Sequence, residues 1–282
     1  MTAVPTIDLN DGRAIPQLGF GVFKIAPDVT ARAVRFALEV GYRHIDTAEM
    51  YGNEAGVGEA VRASGLDRED VFVTSKLDNG EHRPDDARRA FDVTLAELGF
   101  DYVDLFLIHW PLPTRYDGDY VSTWKTLEEF HADGRARSIG VSNFQVAHLE
   151  RLAAESDVVP AVNQFELHPY FHNSDVHAYG QAHGIATEAW APIARGQVLD
   201  EPAIVRIADE LGRTPAQVVL RWHLQRGCIV FPKSTTPERI EENFGLFDFE
   251  LGLDHVDAID ALDRGEAGRV GPHPEGFERI AR

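Results

Sequence analysis

Eight short apolar runs recur along the chain, each separated from the next by a stretch of helical character, and this alternation limits the fold more than any other property of the sequence. The runs are Leu18 to Val22, Tyr42 to Ile45, Val71 to Ser75, Val103 to Ile108, Ser138 to Val141, Ala161 to Asn163, Ile185 to Ala189 and Ile229 to Phe231. Between them, Asp28 is placed to cap a helix that ends before Gly41, and a helix from Pro84 to Leu98 stops at Gly99. Thr214-Pro215-Ala216-Gln217 combines a capping hydroxyl, a proline at the first helical position and a glutamine able to reach back, so a helix starts there and runs through Gln225. Upstream, Thr6 to Leu9, the turn Asn10-Asp11-Gly12 and Ile15 to Phe20 form a hairpin that could cap one end of the molecule. Downstream, Ala267 to Arg282 is rich in Gly, Pro and charge and reads as a peripheral tail. Strand and helix in eightfold alternation imply an α/β fold, a closed (β/α)8 TIM barrel, and 282 residues are compatible with one such domain over positions 1–282.

An open, doubly wound sheet is the competing arrangement, but it carries a glycine-rich first turn for a dinucleotide. Gly19-Phe20-Gly21-Val22-Phe23-Lys24 and Gly56-Val57-Gly58-Glu59-Ala60-Val61 both lack the third glycine, and there is no Walker-type loop. With 27 basic and 46 acidic side chains the net charge is −19, which argues against nucleic acid and anionic membranes as partners. No apolar stretch approaches the ~20 residues of a membrane span, and the first residues lack a signal-peptide pattern, so a cytoplasmic location is expected. Cys228, the single cysteine, lies in an apolar setting and reads as a buried structural thiol.

Three of the runs end in chemistry. Asp46 follows the second, Lys76 the third and His109 the fourth, with Tyr51 in the turn just beyond Asp46. In a βα barrel the carboxyl ends of the strands form the reactive mouth, so these four side chains converge there. A lysine ammonium about 4 Å from a phenol contributes about 4 kcal/mol at an effective dielectric of 20, roughly a thousandfold in acidity. Asp46 would hold Lys76 charged while partly cancelling its field, and burial of the phenol would oppose it as well. Tyr51 so tuned can give a proton to an oxygen that becomes anionic, with His109 orienting that oxygen, as reduction of a carbonyl requires. His168-Pro169-Tyr170-Phe171-His172 carries two histidines four apart, but Pro169 disfavours the helix that would align them, and no metal site is expected.

At these residues Gly41-Tyr42-Arg43-His44-Ile45-Asp46-Thr47-Ala48-Glu49-Met50-Tyr51-Gly52-Asn53-Glu54 closely resembles the first signature of the aldo-keto reductases. The segments Asp101 to Pro111, Ser138 to Phe144, Val162 to Pro169 and Phe231 to Ser234 are similar to further motifs of that family, in the same order, so the resemblance spans Ile15 to about Leu262. The nearest branch resembles the bacterial 2,5-diketo-gluconate reductases. The resemblance implies a (β/α)8 barrel that binds NADPH extended, without a Rossmann site, and is usually a monomer. NADH use is compatible with it.

It also implies roles residue by residue. Tyr51 would be the general acid, Asp46 and Lys76 its tuning pair and His109 the orienting group. Ser142, Asn143 and Gln164 would meet the nicotinamide carboxamide and Trp190 would stack on the ring. Lys233, Ser234 and Arg239 would meet the 2′-phosphate, with Glu242 and Asn243 near adenine. Phe23, Ala48 and Trp110, with Trp190, would line a cup for a small aldehyde, ketone, dicarbonyl or keto sugar acid. The alternative is a non-catalytic NADP-binding sensor, against which the intact Tyr51 and His109 stand. Two departures from the family pattern stand out: Asp78 where many relatives carry tryptophan, which implies a different pocket wall, and Thr235-Thr236 where arginine is frequent, which implies a weaker NADPH preference.

Overall fold

The computed structural model describes residues 4–280. A two-stranded antiparallel hairpin, β1 (Thr6–Asp8) and β2 (Ala14–Pro16), precedes eight parallel strands. These are β3 (Phe20–Gly21), β4 (His44–Asp46), β5 (Phe72–Leu77), β6 (Val103–Ile108), β7 (Ala136–Ser142), β8 (Val162–Glu166), β9 (Ala186–Trp190) and β10 (Ile229–Val230). They pair in sequence order, and a parallel bridge from Leu18 to Val230, with Gly19 N donating to Val230 O at 2.8 Å, joins the last strand to the first. The sheet therefore closes, as the eightfold alternation anticipates.

The first helices, α1 (Pro27–Val40), α2 (Glu54–Ala63), α3 (Pro84–Leu98), α4 (Tyr120–Ala132) and α5 (Val146–Glu155), each follow a strand. They are joined by α6 (Ser174–His183), α7 (Pro202–Leu211), α8 (Pro215–Gln225), α9 (Pro237–Phe244) and α10 (Leu253–Asp260). The capping box at α8 is present in full: Gln217 N donates to Thr214 Oγ1 at 3.2 Å and Thr214 N donates to Gln217 Oε1 at 3.1 Å. Asp28 is different. Ala26 holds the N-cap of α1, and Asp28 lies in the first turn, because Pro27 already occupies the first helical position. The helix from Pro84 to Leu98 has the expected bounds and ends on Gly99 in the left-handed conformation.

Side-chain alternation divides the interior into two environments. Leu105 and Leu107 of β6 join Val162, Ile229 and the hairpin residues Leu9 and Ile15 in an apolar layer at one end of the barrel. The hairpin thus plugs the end opposite the strands' carboxyl termini, as expected of a cap. The outer layer is packed by the helices, with Phe91 of α3 4.5 Å from Phe106 and 4.3 Å from Phe130, centroid to centroid. Cys228 is buried in this layer, and burial pushes its thiol up to about 12, as suits a structural cysteine. No helix among the described residues is long and apolar enough to cross a membrane. Replacing Phe91 by Ala should cost about 3–5 kcal/mol in urea unfolding without altering the activity per folded molecule, since the cavity opens on the helical side of the sheet.

Candidate functional site

Strand ends and the turns beyond them bring the four polar exits together. Lys76 is one step inside the expected position, within β5, because pairing with β6 extends to Leu77. Its ammonium is wholly buried and donates to Asp46 Oδ1, Asp46 Oδ2 and Thr47 O, each at 2.8 Å, so all three donors are satisfied. The short 3-10 turn Glu49–Tyr51 ends on Gly52 with φ 64, a left-handed conformation that turns the chain back into α2. Asn53 anchors this turn: it accepts from Thr47 Oγ1 and donates to Val22 O and Ile25 O. Tyr51 then lies with its ring centroid 5.1 Å from Lys76 Nζ and 5.7 Å from the His109 ring, while Phe23 covers it at 5.0 Å.

The electrostatics correct one expectation. Burial raises Tyr51 to about 12; Lys76 lowers it and Asp46 raises it, but desolvation is the largest effect. The net shift is therefore upward, because the loss of water around the phenol outweighs the influence of Lys76. Tyr51 is consequently protonated throughout the neutral range. His109 is held well below its ordinary value by burial, then by Lys76 and His82, and is a neutral imidazole whose Nδ1 has no partner. Lys76 is raised despite burial, mainly by Asp46 and Tyr51, and stays charged.

The residues expected around nicotinamide adjoin this group. Gln164 Nε2 donates to Asp46 Oδ2 and to Glu188 Oε2, both at 2.8 Å. Ser142 Oγ donates to Gln164 O at 2.8 Å and accepts from Asn143 Nδ2 at 3.0 Å. Asn143, at φ 66, also donates to His109 O and accepts from Trp190 Nε1 at 2.8 Å. Ser142 and Asn143 are thus partly occupied as scaffold, locking Trp190 to the β6 exit. Gln164 Oε1 and a second lone pair on Asn143 Oδ1 are the acceptors left for a ligand amide, and these two acceptors fit the N–H groups of a carboxamide.

At the other end of the expected cofactor path, Lys233 and Arg239 are exposed and Ser234 is buried, its hydroxyl tied to Thr236. Glu242 accepts from Thr214 Oγ1 at 2.7 Å, fastening α9 to α8, and Asn243 beside it is half-buried. Ala48 and Trp110 are buried and Phe23 is half exposed. Asp78 N donates to Glu49 Oε2 at 3.1 Å and Asp78 Oδ1 accepts from Gly80 N, so a tight acidic turn stands where tryptophan is frequent. Burial, then the Asp78 and Glu81 carboxylates, raise Glu49 to about 7.

The terminal segment overturns the expectation of a peripheral tail. Glu166, at the end of β8 and fully buried, accepts from His168 Nε2, Val270 N and Gly271 N at 3.0, 2.5 and 2.9 Å. A Cβ on Gly271 would collide with the Trp190 indole, and one on Gly268 with Tyr170 O. Farther on, Phe277 packs on Trp110 with centroids 4.0 Å apart, Asn79 Nδ2 donates to Arg279 O at 2.7 Å, and Ile280 lies against Gly80. The tail therefore crosses the mouth from β8 and β9 to the exit of β5. Composition suggested a peripheral tail because the groups that Glu166 grips are backbone amides, which leave no trace in sequence. His168 and Phe171 form an isolated bridge, so the two histidines sit on a turn and not a helix.

Comparison with known proteins agrees with this geometry. The aldo/keto reductase family model matches residues 17–264, and the chain belongs to that family. It is an NAD(P)H-dependent oxidoreductase whose similarities lie with the diketo-gluconate reductase branch. A Mycolicibacterium smegmatis aldo-keto reductase is 48% identical over 97% of this chain and 98% of its own. Methylglyoxal reductase DkgA of Yersinia pestis is 49% identical over 98% and 99%. The crystal structure of a Gox0644 point mutant in complex with NADPH is 44% identical, with a TM-score of 0.94, over 99% of this chain and 100% of that one.

Glu166→Ala should free the tail, seen as faster proteolytic clipping after Gly268 at unchanged secondary structure. Stability should also carry a pH signature. Burial raises Glu49 and Glu54 from 4.5 to about 7 and Glu188 to about 8, while it lowers His44 and His223 from 6.5 to about 3 and His82 to about 4. Of these six groups, above pH 6.5 chiefly the carboxyls differ, the folded state holds more protons on them, and their contribution lowers Tm as pH rises to about 8. Below pH 4.5 the histidines are the ones of the six that differ, the folded state holds fewer protons on them, and their contribution lowers Tm as pH drops toward 3. A Tm maximum between these limits is expected by calorimetry.

Proposed function

We propose that the chain, as a single barrel domain, reduces a small neutral aldehyde, ketone or dicarbonyl of the methylglyoxal type with NADPH. The observation that carries this reading is the buried Lys76–Asp46 pair beside a protonated Tyr51 and a neutral His109 at the barrel mouth. NADPH, when bound, supplies a hydride at C4 of its nicotinamide. Tyr51 donates the proton to the carbonyl oxygen; Lys76 then stabilises the phenolate that remains, and Asp46 keeps Lys76 charged and placed. His109, neutral, donates a hydrogen bond to the same oxygen and sets its direction. Gln164 and Asn143 accept from the carboxamide, Ser142 holds both of them, and Trp190 offers its face to the ring. Lys233, Ser234 and Arg239 receive the 2′-phosphate, with Glu242 and Asn243 toward adenine; two exposed cations on a protein of net charge −19 support that placement.

Phe23, Ala48 and Trp110 form the substrate cup, narrowed by Phe277. Glu49 and Asp78, two residues from Tyr51 and Lys76 respectively, are acidic groups in the turns next to it, Glu49 raised to about 7 by burial, and their negative charge as they ionise favours a neutral dicarbonyl over a keto acid anion.

Mixing the protein with NADPH and a carbonyl panel and following reduced-nicotinamide absorbance tests the reading, with methylglyoxal turned over at a higher kcat/KM than 2-keto acids. Tyr51→Phe should lower kcat by about 10²–10⁴-fold while NADPH still binds; a kcat near wild type would remove Tyr51 as the acid. Lys233→Met should reduce the ratio of kcat/KM with NADPH to that with NADH, and an unaltered ratio would remove Lys233 from the phosphate site.

A further inference from the structure

Glu188 is a buried acid with no part in the chemistry above. It lies on β9 in register with Gln164 on β8, its side chain is inaccessible to solvent, and one oxygen, Oε1, has no hydrogen bond. That oxygen has His44 Nε2 at 3.7 Å, itself 3.1 Å from Thr74 Oγ1. A carboxyl left partly unsatisfied beside a second carboxylate costs stability, and the apolar layer below, Leu105, Leu107 and Ile229, is the less costly way to fill such a barrel.

What the acid does provide is direction. Gln164 Nε2 carries two hydrogens, one for Asp46 Oδ2 and one for Glu188 Oε2. Turned over, the amide would face the Asp46 carboxylate with its own oxygen, so the orientation that gives one hydrogen to Asp46 and one to Glu188 is the favourable one. With Asp46 alone, Gln164 could pivot about a single bond. We propose that Glu188 is a positioning residue for the cofactor: together with Asp46 it locks the Gln164 amide so that Oε1 faces the nicotinamide carboxamide. This rests on the reading of Gln164 as a carboxamide ligand.

A second consequence concerns charge. Burial, then the Asp46 carboxylate, raise Glu188 to about 8, opposed by Gln164 and Lys76, so the acid is mostly neutral at pH 7. The groups that face it are Asp46 and His44 from β4, Lys76 from β5 and the uncharged Gln164 from β8; His44 is held neutral by burial. As pH rises through about 8, Glu188 becomes a second anion beside Asp46 with only Lys76 to balance both. NADP⁺ has a positive ring that NADPH lacks, so ionisation favours the oxidised form.

The test is titration of wild type, Glu188→Gln and Glu188→Ala with NADPH and with NADP⁺ between pH 6.5 and 9, followed by quenching of protein fluorescence, with Tm recorded in parallel. Glu188→Ala should bind NADPH about tenfold more weakly, the loss of one hydrogen bond to a fixed group. Glu188→Gln should bind it as wild type does at pH 7. In wild type, the affinity for NADP⁺ relative to NADPH should rise through about pH 8, and in Glu188→Gln it should be flat. A folded Glu188→Ala that binds within about twofold of wild type overturns the proposal, as does a pH dependence that Glu188→Gln retains; a purely structural role would lower Tm and leave both readouts alone. If Glu188→Ala does not fold, the wild-type and Glu188→Gln pH series decides. Wild type that binds no NADPH would overturn the functional reading together with this one, whereas a wild type that binds and turns over while the variants match it overturns this one only.

Discussion

Everything at the mouth of this barrel depends on one ammonium group kept dry. Lys76 is fully buried and has no spare hydrogen, its donors going to two oxygens of Asp46 and to the Thr47 carbonyl. Taking two charges out of water costs several kcal/mol per ion, recovered only when the geometry is complete. The completeness explains the surroundings: Asp46 must also be satisfied, so Gln164 reaches across to it, and Thr47 must be fixed, so Asn53 holds the turn that carries Tyr51. Removing either ion would leave the other stranded, which ties the stability of this end of the barrel to the same pair that sets the field at Tyr51.

Two opposed designs meet inside the closed sheet. The lower layer is apolar and sealed by the hairpin; the upper layer is a polar network from Glu188 through Gln164 and Asp46 to Lys76. Polar groups at such density are costly in isolation and stiff when connected. The connected set turns the upper barrel into a preformed frame, in which the Lys76 ammonium and the Gln164 amide hold their directions before any ligand arrives, the condition under which polar groups act without reorganisation.

Much of this was legible in residue order, and the part that was not has a physical reason. Periodicity identified all eight strands, and the Thr214–Gln217 box set the start of α8, because both are local signals. Strand pairing then moved Lys76 inside β5, which only the partner strand determines. The sign of the Tyr51 shift was missed because Coulomb attraction can be sketched from residue types, whereas desolvation depends on everything packed around the ring. Glu188 was overlooked for a similar reason: an acid in Thr187-Glu188-Ala189 has no distinctive spacing, and a barrel-interior carboxyl is recognised only once Gln164 is seen beside it. The tail was misjudged because Glu166 grips backbone amides, which every residue but proline possesses.

The crossing of the tail gives the two chain ends unequal standing. Val4 and Pro5 adjoin the hairpin that plugs the bottom, while Ile280 rests on Gly80 at the rim, with Arg279 tied to Asn79. Ile280 therefore stands at the rim of the mouth and Val4 at the far pole of the barrel. A bulky group attached near Ile280 crowds the mouth, whereas one attached near Val4 leaves it open.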